Sequence, residues 1–233
     1  MHYNNQYIEL CLEGSSSIFK GLSQKDKETI AEHHTFSIIK KGGFLFKEGE
    51  KARGMICLAS GKAKVFKEGV GGREQILKMV KQQGLIGYRA LFSDSHWSLS
   101  ATAIEDSVIC VFEKNSLVRI LKKNADFALK LIKVITEELA FTNDRTVSLT
   151  QKHIRARLAE SLLVLRDTYG YEADDKTISV SLSREDIAHL SNMTTSNAIR
   201  TLSNMAADGI IEIKGRKISI LGSTNLEHIS DLG

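Results

Sequence analysis

Proline is absent from all 233 residues, where average usage of about 5% would give roughly a dozen, so X-Pro isomerisation is excluded as a slow folding step. Cysteine is scarce: Cys11, Cys57 and Cys110 lie 46 and 53 residues apart, with no CxxC pair. An odd count at such spacing writes neither a disulfide framework nor a four-cysteine cluster, and reduced thiols are expected. No apolar run reaches the roughly 18 residues of a membrane span, and the opening MHYNNQYIELC lacks the basic and apolar regions of a secretory signal. A cytoplasmic address without membrane attachment is the expectation. A strong charge of one sign is missing too. The net charge is +4, with 22 basic against 17 acidic residues up to position 150 and 10 against 11 beyond it. Nucleic-acid binding therefore has to rest on placed residues rather than on bulk charge. What remains, 42% hydrophobic and 26% charged residues over 233 positions, describes a globular chain of one large or two modest domains.

Residues 1–34 read as short helices, with Ser23 and Asp26 in a capping-box pattern at the start of one. From Phe36 the texture changes. Ten of the seventeen glycines fall between Gly42 and Gly87, separating the short runs FSIIKK, FLFK, MICLA, KAKVF and EQILKMV, and SATAI and SVICVF follow. Short strands punctuated by glycine turns indicate a compact β-sandwich or β-roll. After Phe112 the apolar period lengthens to that of helices. Ala128, Ile132, Ile135, Leu139, Thr142, Thr146 and Leu149 are spaced 4, 3, 4, 3, 4, 3, a heptad seam that either pairs this helix with a second copy or packs it on the chain's own β-roll. A break near Leu149 to Lys152 precedes the helix HIRARLAESLLVLRDTYG and a polar EADDK loop. The expected division is 1–124, a β-roll; 125–149, a long helix; and 150–233, a C-terminal domain.

Leu182 to Leu221 is the most informative segment. Ser183 with Asp186 opens a helix by the capping-box pattern, Ile187, Ala188 and Leu190 face inward, and Ser191-Asn192-Met193 forms a three-residue turn. Thr194 can cap a second helix, whose apolar residues Ala198, Ile199, Leu202 and Met205 recur at helical spacing until Gly209 ends it. Two short strands, IIEI and KISIL, flank Lys214-Gly215-Arg216, completing a winged helix-turn-helix. One α-helix fits the major groove of DNA, roughly 12 Å wide, and presents its N-terminal residues to base edges. Thr195, Ser196 and Asn197 occupy that first turn, and Arg200 is the only charged residue between Ser191 and Ala207. Its guanidinium can make two hydrogen bonds to guanine, while Lys214, Arg216 and Lys217 in the wing would meet phosphates. The alternative is a winged helix that contacts protein, with Arg200 a solvated charge.

The whole is an α+β chain: an N-terminal double-stranded β-helix or jelly-roll (β-roll), a long helix and a C-terminal winged helix-turn-helix. This order, together with LFKEGEKARGMICLASGKAKVF, GLIGYRALF, KHIRARLAESLLVL and the SREDIAHL…IRTLSNMAADGIIEIKGRKISI unit, resembles the Crp/Fnr family of transcription regulators over about residues 15–222. The resemblance implies a sensor β-roll and a homodimer joined along the helix at 125–149. It also implies a palindromic DNA operator with half-sites about 34 Å apart and contact with RNA polymerase. In cyclic-nucleotide-binding members a Gly-Glu pair takes the ribose hydroxyl and an Arg-Ser pair holds the cyclic phosphate. Here those positions read Gly87-Tyr88 and Trp97-Ser98. Without the arginine a nucleotide loses a charge-assisted partner unless Arg89 substitutes, so cyclic AMP is not the expected effector. Thr142 and Asn143 sit where the family's helix contacts the purine. Gly87, Tyr88, Arg89, Ala90, Trp97, Ser98, Thr142 and Asn143 thus either outline a retained cavity with altered contents or fill it themselves. The effector is unknown, and a constitutive or protein-gated regulator with none stands beside it.

Cys11 alone cannot supply the N-terminal cysteine cluster of iron-sulfur members, and no cofactor is assigned. Haem binding through His33, His34 or His96 remains an alternative. An enzyme of the cupin type needs a clustered HxH and a glutamate, which the His33-His34 pair does not provide, and no GxSxG, P-loop or HExxH sequence occurs. Catalysis and a metal site are not expected.

Overall fold

A computed structural model describes residues 6–92 and 96–232, without the side chain of Ala90. The chain divides into two compact units, one formed by residues up to 67 with 78–139, the other by residues 68–77 with 140–233. The sequence places boundaries at 124/125 and 149/150; the compact units divide inside a helix, between Leu139 and Ala140.

In the N-terminal part of the chain α1 (Gln6–Glu13) and α2 (Gln24–Glu32) precede eight strands: β1 (His34–Ile39), β2 (Phe44–Phe46), β3 (Gly54–Ser60), β4 (Ala63–Glu68), β5 (Glu74–Val80), β6 (Leu85–Ile86), β7 (Ser100–Ala103) and β8 (Ser107–Glu113), all in the first unit except Glu68 of β4 and residues 74–77 of β5. They form two four-stranded sheets, ordered β1-β8-β3-β6 and β2-β7-β4-β5. The run MICLA in β3 is apolar at every position because both faces of that strand are covered. Met55, Cys57 and Ala59 join one buried cluster with α1 and α2, while Ile56 and Leu58 join a second with Phe46, Val65, Ile86, Trp97 and Ile109. Its partner β8 repeats the division, Val108, Cys110 and Phe112 on one side and Ile109 on the other. A short α3 (Arg89–Phe92) follows β6, and α4 (Lys114–Lys123) closes the first cluster with Leu117 and Ile120.

The long α5 (Ala125–Gln151) starts under the Asn124 side chain, which accepts from the Phe127 N–H at 2.9 Å, and runs for 27 residues. In its first half Phe127 and Leu131 pack into the core and Ile135 against it, so that face is committed to its own unit.

In the second unit α6 (Ile154–Tyr169) buries Leu158, Ala159, Leu162 and Leu165 along one stripe. Around it lie α7 (Arg184–Leu190), α8 (Thr195–Ala207), the hairpin β9 (Ile211–Lys214) with β10 (Lys217–Ile220), and α9 (Ser223–Asp231). Arg166 ties α6 to α9 by donating to Ser223 at 2.8 Å and Glu227 at 2.7 Å. Among the described residues no helix is long and apolar enough to cross a membrane.

Candidate nucleic-acid interface

Each end of α7 and α8 is set by local chemistry. Ser183 accepts from the Asp186 N–H at 2.9 Å and Asp186 accepts in return, a complete capping box. At the turn, Ser191 N–H closes on the Ile187 carbonyl and Met193 N–H on that of Ala188, both at 3.0 Å. Between them Asn192 takes φ 50°, a left-handed conformation that asparagine adopts at lower cost than most residues. Thr194 then caps α8 by accepting from the Asn197 N–H at 3.3 Å.

The inner face of α8 is Ala198, Leu202 and Met205, all buried. Ile199 is the exception to the inward set expected from sequence: it is 47% exposed, on the outer face with Thr195, Ser196, Arg200, Ser203 and Asn204. One residue of α8 spans 100°, so Ala198 and Ile199 cannot both centre on the buried stripe, and the smaller side chain takes the close approach. The outer face thus carries a methyl-rich group suited to a thymine methyl beside the polar ones. Arg200 is held in place, its guanidinium donating to the Asn197 amide oxygen at 2.9 Å. Asn197 therefore acts first on Arg200 rather than standing free for a base.

The wing turns through Gly215 and Arg216, with Gly215 at φ 62° in the first loop position of a two-residue hairpin. Arg184 at the start of α7 donates to the Gly215 carbonyl at 2.7 Å, which links the wing to the helix pair. Lys214, Arg216 and Lys217 are all exposed. Lys214 pairs with Glu212 at 3.0 Å and Lys217 with Glu172 at 2.7 Å, exposed contacts weak enough to exchange for phosphate.

The residues singled out in the β-roll come together only in part. Trp97 is 9% exposed and stacks on Phe46 with ring centroids 4.3 Å apart. Its ring lies so close to Gly87 that a Cβ there would meet it at 2.4 Å, and Gly87 has φ 78°. Tyr88 is buried in the core; burial first, then its hydrogen bond to Glu138, push its hydroxyl well above the usual range. Glu138 on α5 also pairs with Lys78 of β5. Arg89 and Ser98 are exposed, and the Ala90 side chain lies outside the described residues. Thr142 and Asn143 are exposed on the part of α5 that belongs to the second unit.

Along the seam expected on α5, Ile132 and Leu139 are 56% and 60% exposed and Thr142 and Thr146 are exposed, whereas Ala128, Ile135 and Leu149 are half-buried. Leu129 and Val147, outside that seam, are 63% and 53% exposed. The three cysteines are free and buried. Cys57 and Cys110 oppose each other across β3 and β8, and hydrogen bonding with Cys11, then burial, push the Cys110 thiol far above its ordinary range. A thiol shifted in that direction stays protonated and is a poor nucleophile. Among the described residues no three histidine, cysteine, aspartate or glutamate groups are arranged to hold a metal ion.

A β-roll followed by a long helix and a capped, outward-facing second helix of a winged unit defines a DNA-binding regulator. Residues 37–124 match the model of the cyclic nucleotide-binding domain and residues 156–229 that of the Crp-like helix-turn-helix domain, and the chain belongs to the Crp/Fnr family of transcription regulators. It is 25% identical to the CRP-like cAMP-activated global transcriptional regulator of Mycobacterium tuberculosis, over 80% of this chain and 84% of that protein. It is also 25% identical to the fumarate and nitrate reduction regulatory protein of Vibrio cholerae, over 82% and 77%. The structure of FixK2 from Bradyrhizobium japonicum shares the fold with a TM-score of 0.76 at 24% identity, covering 84% of this chain and 96% of that one.

Proposed function

We propose that this regulator is a cytoplasmic homodimer that reads a palindromic operator through the outer face of α8, and that its β-roll answers to an effector other than cyclic AMP. The observation that carries the DNA reading is Arg200: exposed at the groove-facing side of α8 and fixed by Asn197, it is preorganised for a guanine edge. Thr194, Thr195, Ser196 and Ile199 surround it, and Lys214, Arg216 and Lys217 supply phosphate contacts. Homodimers suit the exposed apolar residues of α5, and the family's role in transcription makes RNA polymerase the protein partner. A family of transcription regulators gives no reason to assign catalysis.

For the effector, the cyclic phosphate would need the space that Trp97 holds against Gly87 and Phe46, and the position that would receive it carries an indole in place of a guanidinium. Cyclic AMP should therefore leave the melting temperature and operator affinity unchanged. A saturable calorimetric isotherm at micromolar ligand would refute this.

Selection from a random duplex pool tests the DNA reading. The wild type should enrich one palindrome, and Arg200→Ala should lose about 1 to 3 kcal/mol on it while keeping its affinity for random DNA. Equal losses on both would remove Arg200 from base reading.

A further inference from the structure

The second unit buries one guanidinium that DNA contact does not use. Arg145, near the end of α5, is 5% exposed. One of its terminal nitrogens donates to the carbonyl of Leu190, the last residue of α7. The other lies 3.9 Å from a carboxylate oxygen of Glu160 on α6. Glu160 is itself the meeting point of the α5 terminus, accepting from the Ser148 hydroxyl and pairing with Lys152 at 3.1 Å. Arg145 thus stands where three helices converge: it comes from α5, its counter-charge from α6, and its acceptor from the last residue of α7.

The chosen acceptor matters. The last carbonyls of a helix have no partner within it and carry the negative end of its dipole, so a cation there is favoured. In this turn the Ile187 and Ala188 carbonyls already receive the Ser191 and Met193 N–H groups. The Leu190 carbonyl receives Arg145. A buried ion pair of this kind brings little net stability over well-packed apolar residues, but the hydrogen bond to Leu190 is directional, and a planar guanidinium held by that carbonyl at one edge and drawn toward the Glu160 charge at the other fixes an angle that packing leaves free.

We propose that Arg145 is a positioning residue for operator reading: by holding the Leu190 carbonyl beside Glu160, it sets the angle between α8 and the end of α5. Base-edge contacts tolerate only about 0.5 Å of misplacement, whereas phosphate contacts follow charge over longer range, so a slack turn should cost specific binding alone. This role rests on the DNA reading proposed above and adds a residue outside the interface.

Full-length Arg145→Lys and Arg145→Met test it, on the duplex that the wild type enriches and on a random duplex of equal length. Lysine keeps a charge beside Glu160 but has no planar guanidinium to hold the Leu190 carbonyl at the same time; methionine keeps the volume alone. Both variants should bind the enriched duplex at least about tenfold more weakly and the random duplex within about twofold of wild type. Amide exchange at Ser191 to Thr195 should quicken in both, and Arg200→Ala should leave that exchange unchanged. A specific-to-random ratio that stays at the wild-type value overturns the proposal, whether or not the melting temperature falls. An equal fall on both duplexes overturns it too, since that marks general destabilisation. A wild type that enriches no duplex removes the DNA reading itself, and is told apart from these because Arg145 variants are then compared on exchange alone.

Discussion

Asn192 eases the closure of the helix pair, because the residue at φ 50° lies between the end of α7 and Thr194, which caps α8 two positions on. Asn192→Gly should stay within about 0.5 kcal/mol of wild type, whereas the β-branched Asn192→Val should cost about 1 to 2 kcal/mol in chemical denaturation. Equal stability of the two variants would show the turn to be unstrained. The three-residue turn and both caps are legible in the sequence because each rests on residues within four positions of its partner. Ile199 is not: periodicity names a stripe of apolar residues but leaves its edge undecided by one residue, and the structure resolves it in favour of Ala198. A sign is present, since Ala198, Leu202 and Met205 alone already make a complete 4, 3 stripe. Spacing places Asn197 in the first turn that meets base edges, and its grip on Arg200 at 2.9 Å depends on rotamers that spacing does not specify.

Among the elements, the strands are the most readable and α5 the least. Short runs between glycine turns locate the strands of the β-roll, and β3 and β8 are continuously apolar because each feeds two buried clusters. On α5 the helix is apolar on more than one side. Phe127, Leu131 and Ile135 serve its own unit while Leu129, Ile132 and Leu139 face outward, so a heptad count blends two faces and cannot fix the phase of the outer one. Gly87 shows the opposite case, a single residue that an element requires. With φ 78° and the Trp97 ring 2.4 Å from any added Cβ, Gly87→Ala should destabilise the chain by about 1 to 3 kcal/mol. Removing the ring relieves the clash but not the backbone strain. Gly87→Ala with Trp97→Ala should therefore cost less than the two single changes added together, as a thermal denaturation cycle would measure. Strict additivity would mean that the ring simply moves aside. At the start of α7, Ser183→Ala removes one arm of the capping box and should cost about 1 kcal/mol.

At the scale of the molecule, charge and shape point to the same division of labour. Residues after 150 carry 10 basic and 11 acidic groups, so the winged unit has no bulk attraction for DNA. On the proposed reading its phosphate affinity would come from a few exposed cations, two of which are paired internally. Removing one phosphate-binding cation should lower the salt slope by about 0.9, so Arg216→Ala, present twice in a dimer, should flatten it by nearly 2. A head with so small an electrostatic contribution gains most from a second head. Linking two modest sites raises avidity by about 10² to 10⁴ without any new contact. The link would be α5, whose Ile132 and Leu139 are 56% and 60% exposed, large apolar groups that a second copy of the helix would cover. Replacing both with glutamate places like charges across any paired helix and leaves the buried Phe127 and Leu131 face untouched. Ile132→Glu with Leu139→Glu should therefore sediment as a folded monomer with unchanged helical circular dichroism. Its affinity for the palindrome should fall by at least about a hundredfold, close to the wild-type affinity for a single half-site. A double variant that still sediments as a dimer, or a monomer that holds the palindrome as tightly as before, would detach operator binding from α5 and leave each head to act alone.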